Sequence, residues 1–122
     1  MARVLVIEDN ATNLTFAVFL LESAGHEVLT ASDAEAGLAM ARALSPDLIL
    51  MDIQLPGMDG LEATALLKRE EATRSIPVIA LTALAMKGDE ERIRAAGCDG
   101  YIPKPMQYKA FLEAIAARLA VA

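Results

Sequence analysis

The sequence predicts an α/β domain in which five helices cover both faces of a parallel sheet of five strands in the order 2-1-3-4-5. Short apolar runs alternate with helix-sized segments, which is typical of a parallel sheet with crossover helices. The apolar runs are continuous rather than alternating, as expected for strands that are covered on both faces. A length of 122 residues fits one domain, and a composition of 55% hydrophobic residues excludes a disordered chain.

Five segments have the character of strands. The last is short and runs into Pro103, which suits an edge strand because proline cannot donate a ladder hydrogen bond. The five are Arg3–Ile7, Glu27–Ala31, Leu48–Met51, Pro77–Leu81 and Gly100–Ile102.

The first helix is predicted between Asn10, as its N-cap, and Gly25, as the residue beyond its C-cap. Leu14, Val18 and Leu21 are spaced by four and three residues and therefore share one helix face.

The second helix is predicted to begin at the capping box Ser32-Asp33-Ala34-Glu35 and to end before Ser45-Pro46. Residues 59–70 favour a third helix by propensity. Residues 107–120 predict a last helix whose apolar stripe consists of Phe111, Leu112, Ile115 and Leu119.

The segment 86–96 is the poorest helix of the chain. Met86 and Ile93 are nearly its only large apolar residues, and most of the others are charged. We therefore expect a helix that is lightly anchored by burial and able to move.

Composition also limits location and partners. No apolar run reaches the roughly 18 residues of a membrane-spanning helix. Glu8 and Asp9 follow the first apolar run too soon for a signal peptide, and the single Cys98 cannot form an internal disulfide, so a reducing cytoplasm is expected. A net charge of −6 disfavours binding to nucleic acid.

Polar residues follow four of the predicted strands. Glu8 and Asp9 follow the first, Asp52 the third, Thr82 the fourth and Lys104 the fifth. The carboxyl ends of parallel strands meet at one edge, so three carboxylates, one hydroxyl and one ammonium should converge there. Repulsion among three carboxylates predicts either a raised pKa or a bound cation, and oxygen ligands favour Mg²⁺.

Each of these residues also has a purely structural interpretation. Asp9 alone would suit a helix N-terminus, and Asp52 alone would suit a turn before Leu55-Pro56-Gly57. Thr82 and Lys104 alone would be an ordinary strand-end hydroxyl and an ordinary surface lysine. Their coincidence at consecutive strand ends favours a functional site.

Four stretches of the chain carry a family resemblance: Val4–Asn10, Pro46–Gly60, Ile76–Ala83 and Gly97–Pro105. With them the whole chain resembles the receiver domain of bacterial response regulators. The stretch Met86–Arg94 resembles stand-alone receivers of the DivK type, and similar stretches occur in receivers attached to hybrid histidine kinases. The resemblance implies one receiver domain over residues 1–122 with a doubly wound, flavodoxin-like and CheY-like fold.

The resemblance implies a magnesium-dependent site. Asp52 would be the phosphoacceptor, Asp9 would bind Mg²⁺ directly, and Glu8 would act through a metal-bound water. The backbone carbonyl of Gln54 would complete the protein ligands. Lys104, before a cis bond to Pro105, would pair with a phosphoryl oxygen.

The resemblance also implies a switch and its partners. Thr82 would bond the phosphoryl group, and Tyr101 would then change rotamer. Apart from the resemblance, the weakly anchored segment 86–96, Tyr101, Ile102 and the start of the last helix form a candidate partner-binding face, in which Met86 and Met106 would either contact a partner or belong to the core. The expected partners are a histidine kinase or histidine phosphotransfer protein and a downstream protein, with no nucleic acid and no membrane, and the chain would be a monomer or weak dimer. It would be a signalling phosphoacceptor rather than an enzyme.

Other functional classes fit less well. A phosphatase of the haloacid dehalogenase type would place a second acid where Gln54 stands. A flavodoxin would need a phosphate-binding loop after the first strand, where Glu8-Asp9-Asn10 would repel phosphate. The presence of the acid, hydroxyl and lysine set argues against a receiver that only binds partners.

Overall fold

The computed structural model describes residues 2–83 and 87–121 and contains the predicted five strands and five helices. The strands are β1 Arg3–Ile7, β2 Glu27–Ala31, β3 Leu48–Asp52, β4 Val78–Thr82 and β5 Gly100–Pro103. The helices are α1 Ala11–Ser23, α2 Ala34–Leu44, α3 Gly60–Arg69, α4 Lys87–Ala95 and α5 Tyr108–Val121. All strand pairs are parallel and the order is β2-β1-β3-β4-β5, so the predicted fold is confirmed.

The sheet separates two apolar cores. In β1, Leu5 and Ile7 pack with side chains of α2, α3 and α4, whereas Val4 and Val6 pack with those of α1 and α5. Every residue of β3 and β4 is buried. Burial on both faces explains why these strands read as continuous apolar runs.

Helix α1 has the predicted ends, and its predicted apolar face lies toward the core. Asn10 caps it by accepting a hydrogen bond from the Asn13 N–H at 3.0 Å, and Gly25 follows with φ +87°. The fully buried residues are Ala17, Leu20 and Leu21, while Leu14 and Val18 are only partly buried. Leu14 packs against the same core as Leu21, so the predicted face is confirmed at these two residues, and Ala17 and Leu20 complete the buried surface.

The predicted capping box of α2 is wrong. Asp33 and not Ser32 caps the helix, and its carboxylate accepts a hydrogen bond from the Ala36 N–H at 2.8 Å. Aspartate caps as well as serine does and adds a negative charge at the positive end of the helix dipole. Because Asp33 is the cap, Glu35 is the second residue of the helix, whereas a capping box requires it to be the third.

Helix α4 is anchored as weakly as the sequence indicates. Among its described side chains only Ile93 is buried. Its charged residues pair along its own surface, Asp89 with Arg92 at 3.3 Å and Glu90 with Arg94 at 3.8 Å. Such exposed pairs add little stability.

The last helix buries the predicted stripe. Phe111 and Ile115 are fully buried, and Leu112 and Leu119 pack beside them. No helix within residues 2–83 and 87–121 is long and apolar enough to cross a membrane.

Candidate functional site

The predicted polar residues come together where the strand order reverses. Glu8 follows β1 directly, Asp52 and Thr82 are the last residues of β3 and β4, and Lys104 follows β5. The point between β1 and β3 is where a doubly wound sheet opens a crevice for ligands.

Three carboxylates form the centre of this site. Glu8, Asp9 and Asp52 each offer an oxygen, and the three oxygens lie within 4.8 Å of one another. Glu8 and Asp52 are buried, with 1% and 3% of their surface exposed, while Asp9 is exposed. The cluster is therefore shielded at Glu8 and Asp52 and accessible to solvent at Asp9.

Lys104 contacts both buried carboxylates. Its Nζ lies 2.8 Å from Glu8 Oε1 and 3.2 Å from Asp52 Oδ1. The Lys104 N–H donates to the carbonyl of Thr82 at 2.7 Å, which ties the lysine to the end of β4. The Lys104–Pro105 bond is cis, as the resemblance implied.

Backbone N–H groups orient the two buried acids. The Asn10 N–H donates to Glu8 Oε2 at 3.3 Å, and the Gln54 N–H donates to Asp52 Oδ1 at 3.1 Å. Each carboxylate is thus held by the residue two positions later, a local arrangement typical of acids at turns.

The site changes the acidity of its members. Burial, with the neighbouring Glu8, raises the pKa of Asp52 to about 7. Burial also acts to raise the pKa of Glu8, but hydrogen bonds with Asp52 and Lys104 outweigh it and leave that pKa lowered. Burial acts to lower the pKa of Lys104, yet its bonds to Glu8 and Asp52 raise it overall. Asp52 is therefore the acid of the pair that holds a proton more readily.

The residues fit a divalent cation. Three carboxylates against one ammonium leave two negative charges when all are ionised, which a divalent cation would neutralise. Glu8 Oε1 is buried without a hydrogen bond of good geometry among the described residues, although Lys104 Nζ is close to it. Carboxylate oxygens are the ligands that Mg²⁺ prefers.

Thr82 and Tyr101 project from the same face of the sheet. Tyr101 pairs with Ala80 across β4 and β5, and Thr82 lies two residues after Ala80. Tyr101 is half-buried against the core beneath α4. A hydrogen bond with Glu90 of α4 raises the pKa of the Tyr101 hydroxyl.

Sequence reasoning did not find Glu90. The residue stood out only as one of several charges on an exposed helix. Its contact with Tyr101 depends on the position of α4 over β5, which no local pattern predicts.

The predicted partner face is not supported at Ile102 and Met106. These side chains are only 4% and 7% exposed and belong to the core beneath α1 and α5. Ile102 lies in a parallel strand covered on that face, and Met106 fills space beside Phe111 and Ile115 in the same core. Met86 lies outside the described residues.

Comparison with known proteins identifies the class. A model of the response regulator receiver domain family matches residues 4–116, and the chain belongs to that family. It is a signalling phosphoacceptor rather than a classical enzyme, and proteins of this class work with a histidine kinase.

Among its relatives are single-domain regulators. The chain is 51% identical over 112 residues to the polar-differentiation response regulator DivK of Brucella abortus (strain S19), covering 92% of this chain and 91% of the relative.

Solved structures agree with this placement. The receiver domain of a sensor histidine kinase from Pseudomonas aeruginosa PAO1, with a magnesium ion in its active-site cleft, is 34% identical with a TM-score of 0.91 and 98% coverage of both chains. The chemotaxis response regulator CheY4 of Vibrio cholerae is 27% identical with a TM-score of 0.92, covering 97% of this chain and 98% of that one.

Proposed function

We propose that Asp52 is the phosphoacceptor of this chain, within a single receiver domain spanning residues 1–122. The observation that carries the proposal is the contact between the Asp52 carboxylate and Lys104, 3.2 Å apart in a shielded crevice at the carboxyl ends of the strands. Phosphoryl transfer needs positioning and charge neutralisation more than covalent activation, and this crevice provides both.

The metal site belongs to the same proposal. Asp9 and Asp52 would hold Mg²⁺ directly, Glu8 would act through a bound water, and the carbonyl of Gln54 would complete the set. The support is the cluster of three carboxylate oxygens and the presence of magnesium in the cleft of the Pseudomonas receiver domain. When bound, Mg²⁺ offsets negative charge on the phosphoryl oxygens.

The residues act in one transfer step. An oxygen of the ionised Asp52 carboxylate forms a bond to phosphorus while the bond from phosphorus to the donor imidazole breaks. The electron pair of that bond returns to the imidazole nitrogen. Lys104 and the Thr82 hydroxyl stabilise the phosphoryl oxygens that the transfer leaves on Asp52.

The output would pass through α4 and β5. The Thr82 hydroxyl moves toward the phosphoryl group, Tyr101 turns inward, and the surface of α4 changes. The weak anchoring of α4 by Ile93 supports this route, since a small change in contacts shifts the population of a loosely held element.

Partners and location complete the proposal. The donor is a histidine kinase or a histidine phosphotransfer protein, and the receiver of the signal is another protein that contacts a monomer or weak dimer. A cytoplasmic location is supported by the free, buried Cys98.

The test replaces the acceptor oxygen. Asp52→Asn should abolish phosphate incorporation from a small phosphodonor with Mg²⁺, because a carboxamide is a very poor nucleophile. Intact mass measures the adduct. The control is Asp47→Asn, which lies directly before β3 at the other end of that strand, where the Asp47 carboxylate accepts a hydrogen bond from the Arg3 N–H at 2.8 Å. Full incorporation in Asp52→Asn would refute the assignment.

A further inference from the structure

Helix α3 begins in direct contact with the end of β3. Gly60 is its first residue, and the Gly60 N–H donates to the carbonyl of Ile53 at 2.9 Å. Asp59 caps the helix by accepting a hydrogen bond from the Glu62 N–H at 2.9 Å. The loop between β3 and α3 is therefore closed at its base, one residue after Asp52.

This approach leaves no space for a side chain at position 60. A Cβ there would overlap the carbonyl oxygen of Asp52 and lie 2.9 Å from both the Asp52 carbonyl carbon and the Ile53 Cα. All three are main-chain atoms, which cannot rotate out of the way. A larger residue would have to push α3 and the end of β3 apart.

The displaced main chain would carry the groups of the site with it. Asp52 is the residue whose carbonyl meets position 60, and its carboxylate is oriented by the Gln54 N–H at 3.1 Å. Gln54 itself lies in the loop that the bond between Gly60 and Ile53 closes. Separation of α3 from β3 would change the direction of the carboxylate and of the Gln54 carbonyl together.

Gly37 of α2 provides a contrast within the same fold. It is also a buried helical glycine beneath the end of a strand, and a Cβ there would overlap Ile7. In that case the atoms met belong to the side chain of Ile7, the nearest being its terminal Cδ1. An added methyl at position 37 would crowd the core without meeting the backbone of a site residue.

We propose that Gly60 is a positioning residue for the metal site: its missing side chain lets α3 fix the main chain of Asp52 and Gln54 in the geometry that binds a divalent cation. The inference rests on the proposed function, because it takes Asp52 and Gln54 as ligands.

The first experiment compares two glycine variants. Gly60→Ala should raise the Mg²⁺ dissociation constant at least tenfold, measured by isothermal titration calorimetry below the melting temperature. Gly37→Ala should also lower the melting temperature, through overpacking, but should change the dissociation constant less than twofold. A folded Gly60→Ala variant that binds Mg²⁺ within twofold of the unaltered chain would overturn the inference.

The second experiment uses the unaltered chain, so it does not depend on the folding of a variant. Since coupling is reciprocal, Mg²⁺ must stabilise the junction that positions its ligands. Hydrogen exchange of the Gly60 N–H should slow on addition of Mg²⁺ at least threefold more than that of the Gly37 N–H, which donates to the Asp33 carbonyl at 3.1 Å. Equal slowing of the two amides would contradict the proposal.

The two experiments separate this inference from the proposed function. An unaltered chain that binds no Mg²⁺ would overturn the proposed metal site and this inference with it. Binding by the unaltered chain together with unchanged affinity in Gly60→Ala would overturn the role of Gly60 alone.

Discussion

Helices α3 and α4 lie on the same face of the sheet but are held there very differently. Helix α3 buries Gly60, Ala63, Thr64 and Leu67, and its first residue touches the main chain of β3. Helix α4 buries Ile93 alone among its described side chains. The firmly held helix stands beside Asp52, and the loosely held one stands beside Tyr101.

The difference matches two requirements of a switch. The groups that accept a phosphoryl group must keep a fixed geometry, because misplacement by an ångström weakens catalysis strongly. The surface that reports the change must exist in two arrangements that are close in free energy, because a ligand shifts only such an equilibrium. The fold places these two properties on neighbouring helices.

The largest expected effect is a loss of stability when a buried side chain is truncated in α3, compared with the same change in α4. Leu67→Ala should lower the free energy of unfolding by about 3 kcal/mol, within the range for buried leucines. Ile93→Ala removes similar apolar volume but should cost less, since α4 can detach locally before the domain unfolds. Denaturant unfolding measures both. An equal loss in the two variants would show that α4 is as firmly anchored as α3.

Much of this contrast could be predicted from the sequence, and part of it could not. The charged composition of residues 86–96 indicated a weakly buried helix, and periodicity identified the strands whose ends carry Asp52 and Thr82. The role of Gly60 depends on how closely α3 approaches β3, and the contact between Glu90 and Tyr101 depends on packing between separate elements. Burial of Ile102 in β5 and of Met106 in the segment before α5 likewise depends on how these parts of the chain pack beneath α1 and α5. Local patterns encode periodicity and caps but not these tertiary distances.

A second prediction concerns the protonation of Asp52, which lies beside α3. The folded metal-free chain keeps a proton on Asp52 up to about pH 7, whereas the unfolded chain loses it near the ordinary value of 3.8. Between these values the folded state binds more protons, so its stability falls as pH rises. Metal-free protein should therefore be less stable at pH 8 than at pH 5.5, by up to about 2 kcal/mol.

Thermal unfolding in a chelator measures this pH effect. Asp52→Asn, which does not titrate, should remove most of the difference between pH 5.5 and pH 8. If that variant kept the full difference, another group would be responsible for it.

A third prediction concerns the cation. Mg²⁺ at ten times its dissociation constant should raise the free energy of unfolding by about 1.4 kcal/mol through binding to the folded state alone. At one fixed Mg²⁺ concentration the gain should be larger at pH 8 than at pH 5.5, because at pH 8 Mg²⁺ no longer competes with a proton on Asp52. Asp9→Ala should reduce the gain, whereas Asp33→Ala, which removes a helix cap from α2, should not. A full Mg²⁺ response in Asp9→Ala would exclude Asp9 as a ligand.

The smallest expected effect lies on the α4 side. Tyr101→Phe removes the hydroxyl that bonds Glu90 and should accelerate amide exchange in residues 87–95 by roughly twofold, with little change in the melting temperature. Tyr108→Phe is the control, since Tyr108 is 59% exposed at the start of α5.

With a phosphoryl mimic bound at Asp52, Tyr101 should already have left Glu90, so the unaltered chain and Tyr101→Phe should then exchange at the same rate in α4. Persistence of the twofold difference with the mimic bound would mean that Tyr101 keeps its bond to Glu90 in both states, and the signal would have to reach α4 by a route other than Tyr101.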